Sequence, residues 1–188
     1  FTSQKSVPEK LQLLWDQLNT LEIRPVGSEL EALLLEHTLI QTYTPRVNVQ
    51  RKVAEGRSRY GAPTGTVVLL CPSVRRGHLE LFWIGLASST YQIRIKANRP
   101  PMRQLRLLQK AALSNRPPAR ASVNLTNWGP AGNEIASRYF GRFRHQLTWL
   151  ESGALDESDF VERLLPLIQK GTGGHSDPAE IRMQNWLE

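Results

Sequence analysis

Apolar positions along the chain change spacing several times, and each change predicts an element. Pro8 stands where the first turn of a helix tolerates it, and Leu11, Leu14, Trp15 and Leu18 follow at helical spacing. Residues Leu21 to Val26 alternate like a short strand, and Pro25 marks it as an edge. Gly27 is a turn. Ser28 with Glu31 three residues on forms a capping box, which predicts a helix beginning there and ending near Tyr43, because Pro45 disfavours helix at Thr44. Residues 54–65 are rich in Gly, Arg, Ser and Pro and predict a loop and a domain boundary.

Beyond the boundary, Thr66–Pro72 is a short apolar strand. Arg75-Arg76-Gly77 is a turn, and His78–Leu86 a second strand, so the two predict a hairpin. Tyr91, Ile93 and Ile95 alternate with Gln92, Arg94 and Lys96, a third strand with one basic face. Helical spacing then recurs at about 101–114, 132–151 and 158–169. Gly171-Thr172-Gly173-Gly174 interrupts the pattern, and Pro178–Glu188 predicts a short terminal helix docked through Trp186. The expected fold class is α+β. Residues 1–55 form a truncated helix-strand-helix lobe, and residues 56–188 a small antiparallel sheet with helices.

Composition narrows the function. The 188 residues are 40% hydrophobic and 22% charged, within the globular range. No apolar run reaches the length of a membrane span, and the N-terminus lacks a signal layout, so no membrane association is expected and the cytoplasm is the expected compartment. The chain does not begin with Met, which suggests a fragment or a processed chain. The single Cys71 and four His show no zinc-like spacing. A net charge of +7 suits a nucleic-acid partner, or equally a solvated basic surface. Its distribution is uneven: no Asp or Glu lies between Glu80 and Glu134, while Asp156, Glu157, Asp159 and Glu162 gather near the C-terminus. Arg103, Arg106 and Lys110 share one helical face and could follow a DNA backbone, as could Arg94 and Lys96; the alternative is an ordinary solvated face. Trp83, Trp128 and Trp149 are expected to be core residues before they are base-stacking ones.

One residue departs from its surroundings. On the Ser28–Tyr43 helix, Glu36 lies nearly opposite the polar face of Glu31, Thr38 and Thr42, and its neighbours one turn away are Ala32, Leu33, Leu39 and Ile40. A carboxylate there is desolvated, or has a partner. That partner is a divalent cation or an arginine, unless the side chain reaches solvent at the rim.

The stretch Ser28-Glu-Leu-Glu-Ala-Leu-Leu-Leu-Glu-His-Thr-Leu-Ile-Gln-Thr-Tyr-Thr-Pro-Arg-Val-Asn48-Val resembles the GIY-YIG nuclease domain of the bacterial excinuclease C subunit, with Val47 in place of the usual Tyr. The resemblance covers about the first quarter of the chain. It implies that Glu36 holds the catalytic Mg²⁺ or Mn²⁺ and that Asn48 helps to order the site. Arg46, Arg51 and Lys52 are added to the candidate DNA contacts, and DNA and other excision-repair proteins to the candidate partners. The family's Gly-Ile-Tyr and Tyr-Ile/Val-Gly strands, with their tyrosines and catalytic arginine, are not among these 188 residues. The parent protein is therefore expected to incise DNA and the 188 residues alone are not. A truncated sheet edge would favour covering by the second lobe or by a dimer partner. The three later strands also resemble the start of a ribonuclease H-like fold. That fold needs acids on its early strands, and only Glu80 is present, so a second active nuclease is not expected. Two other readings remain: a non-catalytic DNA-binding or scaffold module, and the C-terminal part of an exonuclease–GIY-YIG fusion.

Overall fold

The computed structural model describes residues 18–45, 63, 65–118, 125–153 and 155–172. Nine elements follow in chain order: α1 (Glu29–Tyr43), β1 (Val67–Pro72), β2 (His78–Leu86), β3 (Ser89–Lys96), α2 (Met102–Ser114), β4 (Leu125–Asn127), α3 (Gly129–Phe143), β5 (Thr148–Glu151) and α4 (Glu157–Thr172). The fold is α+β. The five strands form one antiparallel sheet in the order β4-β3-β2-β1-β5.

The sheet carries helices on both faces, and strand alternation assigns each side chain to one of them. Val68, Leu70, Leu79, Leu81, Trp83, Tyr91, Ile93 and Ile95 face α2 and α4, and meet Leu105, Leu108, Phe160, Leu164 and Ile168. Val67, Leu69, Cys71, Phe82 and Ile84 face the other way, against Leu30 and Leu34 of α1 and Ala136 and Phe140 of α3. Cover on both sides explains why β1 is an unbroken apolar run and not an alternating one. It also joins α1 to the rest of the molecule, through a core shared with α3. A Cβ on Gly132 would lie 2.4 Å from Cβ of Trp128 and 3.3 Å from Leu34, so glycine is what lets the two helices approach.

The capping box acts in a modified form. Ser28 Oγ accepts from the Glu31 amide at 3.2 Å, while the Glu31 carboxylate reaches past the cap to the Gly27 amide at 2.9 Å. Gly27 is held against β1, where a Cβ would fall 2.3 Å from the Pro72 carbonyl oxygen. At the other end Thr44 takes a left-handed conformation and its amide closes on the Ile40 carbonyl, ahead of Pro45.

Several expectations need correction. Residues Leu21 to Val26 form no strand. No described strand lies beside them to pair with, and a lone extended segment has no ladder to hold it. The helix expected over 132–151 is two elements. It begins at Gly129, with Pro130 in its first turn, and ends at Phe143, after which Thr148–Glu151 pairs with β1 as an edge strand. Strand β4 was not anticipated. The helix expected near residues 8–18, with Trp15, lies outside the described residues except for Leu18, and the one expected at 178–188, with Trp186, lies wholly outside them. Among the described residues no helix is long and apolar enough to cross a membrane.

Candidate functional site

Leu30 and Leu34 turn one face of α1 into the core, and the helix turns its other face outward. There Ala32, Leu35, Leu39, Ile40 and Tyr43 line a groove of roughly 560 Å³ together with Glu36. Glu36 is exposed. Its apolar neighbours are as expected, but its desolvation is not: no described element covers this face, so the carboxylate reaches solvent at the rim. Among the described residues no arginine holds it, and it has no hydrogen bond or ion pair there. Glu22, which shares the groove, is bonded to Arg24 at 2.6 Å, and that pairing draws its carboxyl below the usual range. Among the described residues no three His, Cys, Asp or Glu gather where they could enclose a metal. A single free carboxylate fits the habit of Mg²⁺, which uses one or two protein carboxylates and fills its other positions with water and phosphate oxygens.

The N-terminal end of α1 takes part in a different arrangement. Glu80, only 1% exposed, is bonded by the Arg94 Nε, by Ser73 Oγ at 2.7 Å and by Gln92 Nε2 at 3.0 Å. Arg94 and Glu80 are direct cross-strand partners in the β2–β3 ladder, which brings the pair together without long side-chain reach. Gln92 Nε2 also donates to Glu31 at 3.3 Å, and an Arg94 terminal nitrogen lies 3.6 Å from the same Glu31 oxygen. Trp128 Nε1 donates to Gln92 Oε1 at 2.9 Å. Glu31, Glu80, Gln92, Arg94 and Trp128, with Arg75 and His78, line a polar cavity of roughly 610 Å³. Every charge in the network has an opposite charge beside it, so its chemistry is attachment: it ties the start of α1 to the sheet.

Arg94 therefore differs from the free phosphate-facing cation expected of it, because its guanidinium is held by two carboxylates. Lys96 is exposed beyond it on the same sheet face. Arg103, Arg106 and Lys110 stand together on the solvent face of α2, opposite Leu105, Leu108 and Ala112. Arg106 is bordered by Asp156 and Glu157 across a shallow pocket, so that face is less uniformly positive than the chain order suggests. Asn48, Arg46, Arg51 and Lys52 lie outside the described residues. The tryptophans divide. Trp83 is wholly buried beside Phe160, Trp128 is half-buried on the network, and Trp149 is exposed.

Comparison with known families bears on the segment that carries Glu36. Residues 1–49 match the family model of the UvrC-like GIY-YIG domain. The match takes in all of α1 and about a quarter of the chain, and it ties this part to a nuclease family. GIY-YIG nucleases are generally metal-dependent, and a domain of this kind is expected to bind DNA. No curated protein and no solved structure matches the chain.

The Glu80 network was missed in the sequence. A carboxylate at the third position of a nine-residue strand that is apolar from Leu81 onward was its visible signal, and the basic residue across the hairpin was the other half of it.

Proposed function

We propose that Glu36 is a metal ligand for divalent-cation-dependent phosphodiester hydrolysis, and that the parent protein incises DNA in the manner of excision repair. The observation behind this reading is a single uncommitted carboxylate on an apolar groove, on the helix of a UvrC-like GIY-YIG match. Mg²⁺ or Mn²⁺ there would polarise a phosphoryl oxygen and help to activate water. The family resemblance adds Asn48 as the residue that orders the site. The 188 residues contain neither Gly-Ile-Tyr nor Tyr-Ile-Gly, so the tyrosine base and the arginine that the chemistry needs are not supplied here. Residues 1–55 are proposed as the nuclease-derived part. Residues 56–188 are proposed as a basic DNA-binding part, with Arg46, Arg51 and Lys52 near the boundary, and Lys96, Arg103, Arg106 and Lys110 beyond it, as phosphate contacts. The cytoplasm, other excision-repair proteins and a dimer partner at the apolar face left open in the described residues belong to the same reading.

The exposed α1 face also favours a second reading, a scaffold or binding module in which the nuclease shell is kept without catalysis. Metal binding separates the two. Under the enzyme reading Mn²⁺ titration of the whole chain, followed by paramagnetic relaxation or calorimetry, finds one site, and Glu36→Gln abolishes it. The chain alone is expected to give no metal-dependent cutting of DNA. Absence of the Mn²⁺ site, or its persistence in E36Q, would refute the assignment.

A further inference from the structure

The end of α3 and the edge strand β5 carry a second feature that the metal site does not use. From Ile135 to Leu150 there is no acid, while Arg138, Arg142, Arg144 and His145 alternate with Tyr139, Phe140, Phe143 and Trp149. Arg138 is committed to Glu134, one turn earlier. Arg142 and Arg144 are exposed and have no carboxylate partner among the described residues. The Arg142 guanidinium rests over the Phe143 ring, 5.0 Å from its centroid, and Phe143 lies 5.0 Å from Tyr139. Trp149 is 38% exposed, and its ring is set edge-to-face with buried Phe140 at 5.1 Å and 84°. Register explains the contact: Trp149 pairs with Leu69 of β1, which faces the same core as Phe140.

We propose that this surface binds single-stranded nucleic acid, with Trp149 as a base-stacking platform and Arg142 and Arg144 as phosphate contacts. A protein partner of the usual kind would want a broader apolar centre, whereas here one open ring follows, in the chain, a run of residues whose only charges are cations, with Glu151 two residues beyond it. A duplex hides the base faces that such a ring would meet, while a single strand offers them along with a backbone for the guanidiniums. The ring is already fixed by Phe140 and one guanidinium by Phe143, so little side-chain freedom is lost on binding. The proposal stands apart from Glu36: it requires neither metal nor cleavage.

The test is fluorescence anisotropy of the whole chain with labelled oligo(dT) of about 10 nucleotides, a length within the usual single-strand site size. It is run in chelator and over a range of salt, with a duplex of the same length alongside. The expected result is preference for the single strand. Trp149→Ala should weaken binding about tenfold, and Trp149→Phe, which keeps a ring against Phe140, should weaken it distinctly less. Replacing Arg142 and Arg144 together by Ala should flatten the salt dependence by roughly 1.4, or 0.7 for each contact to a single strand. Thermal melting of each variant shows whether it is folded, and W149F carries the comparison if W149A is not. No binding, equal or tighter binding of the duplex, or W149F and the arginine variant both behaving as wild type would overturn the proposal. Because metal is withheld, such a failure leaves the Mn²⁺ titration at Glu36 as a separate question.

Discussion

Replacing Arg94 by Met tests whether the cation is structural or a phosphate contact. The substitution keeps an unbranched side chain beside Trp128 and Gln92 and removes the guanidinium. Glu80 would then remain almost wholly buried and lose its ionic partner, keeping only Ser73 Oγ and Gln92 Nε2. Leaving one member of a buried pair behind costs about 3–5 kcal/mol. Arg94 itself is 31% exposed, so water can reach part of the site, and the two remaining hydrogen bonds offset some of the loss. The expected destabilisation is about 2–4 kcal/mol. For a chain of this size that lowers Tm by about 10 °C. Glu31 loses a neighbour in the same step, so amide exchange should speed up first at the start of α1. Glu80→Gln should cost less, because Arg94 can turn to water. Adding E80Q to the Arg94→Met background should recover stability, since no buried charge then lacks a partner. Urea denaturation of the four proteins completes the cycle. A cost for Arg94→Met below about 1 kcal/mol, or a double variant no more stable than Arg94→Met alone, would refute the reasoning. A fall in DNA affinity without loss of stability would return Arg94 to the set of phosphate contacts.

Two more perturbations follow from local geometry. The β2–β3 turn places Ala87 and Ser88 both at positive φ, where side chains are strained and where Asn-Gly is the natural pair. Changing them to Asn and Gly should stabilise the fold by about 1 kcal/mol in urea denaturation, and an unchanged or lower midpoint would count against a strained turn. Burial pushes the Cys71 thiol up to about 12 from an ordinary value near 9, and burial likewise raises the Tyr139 hydroxyl to about 12 from near 10. Between those limits the folded chain holds protons that the unfolded chain releases, so stability is complete below about pH 9 and falls as pH rises toward 12. Denaturation midpoints across that range should decline, and Cys71→Ala should make the decline shallower; a flat profile would exclude a buried thiol.

Much of the fold was legible because its signals are local. Ser28 and Glu31 mark the start of α1, Thr44-Pro45 its end, and Gly77 the first hairpin. The alternation from Tyr91 to Lys96 assigned the β3 faces correctly. What failed depends on distant partners. Thr148–Glu151 is a strand because β1 has an open edge for it, and nothing within those four residues says so. Leu21 to Val26 has strand spacing without a neighbour to complete it. Arg94 looked free because the acids that hold it lie 14 and 63 residues away in the chain. Glu36 showed the opposite error. Its apolar neighbours are real, but a helical wheel cannot say whether that face is covered.

The composition of α1 resolves why a nuclease-type segment is joined to this sheet. Apolar residues stand on two sides of α1, apart from the polar face of Glu31, Thr38 and Thr42, and each of those two sides gains by being covered. The sheet and α3 cover the side of Leu30 and Leu34, and the Glu31–Arg94–Glu80 contacts fasten its first turn. The side of Leu35, Leu39, Ile40 and Tyr43 stays open in the described residues, and Glu36 stands at its rim. The sheet thus anchors the helix by one side and leaves the carboxylate's side available. An anchor of that kind fixes the stretch of helix backbone that carries Glu36, which is the first condition for presenting a metal-holding carboxylate, while its side chain is left to be ordered by what it binds.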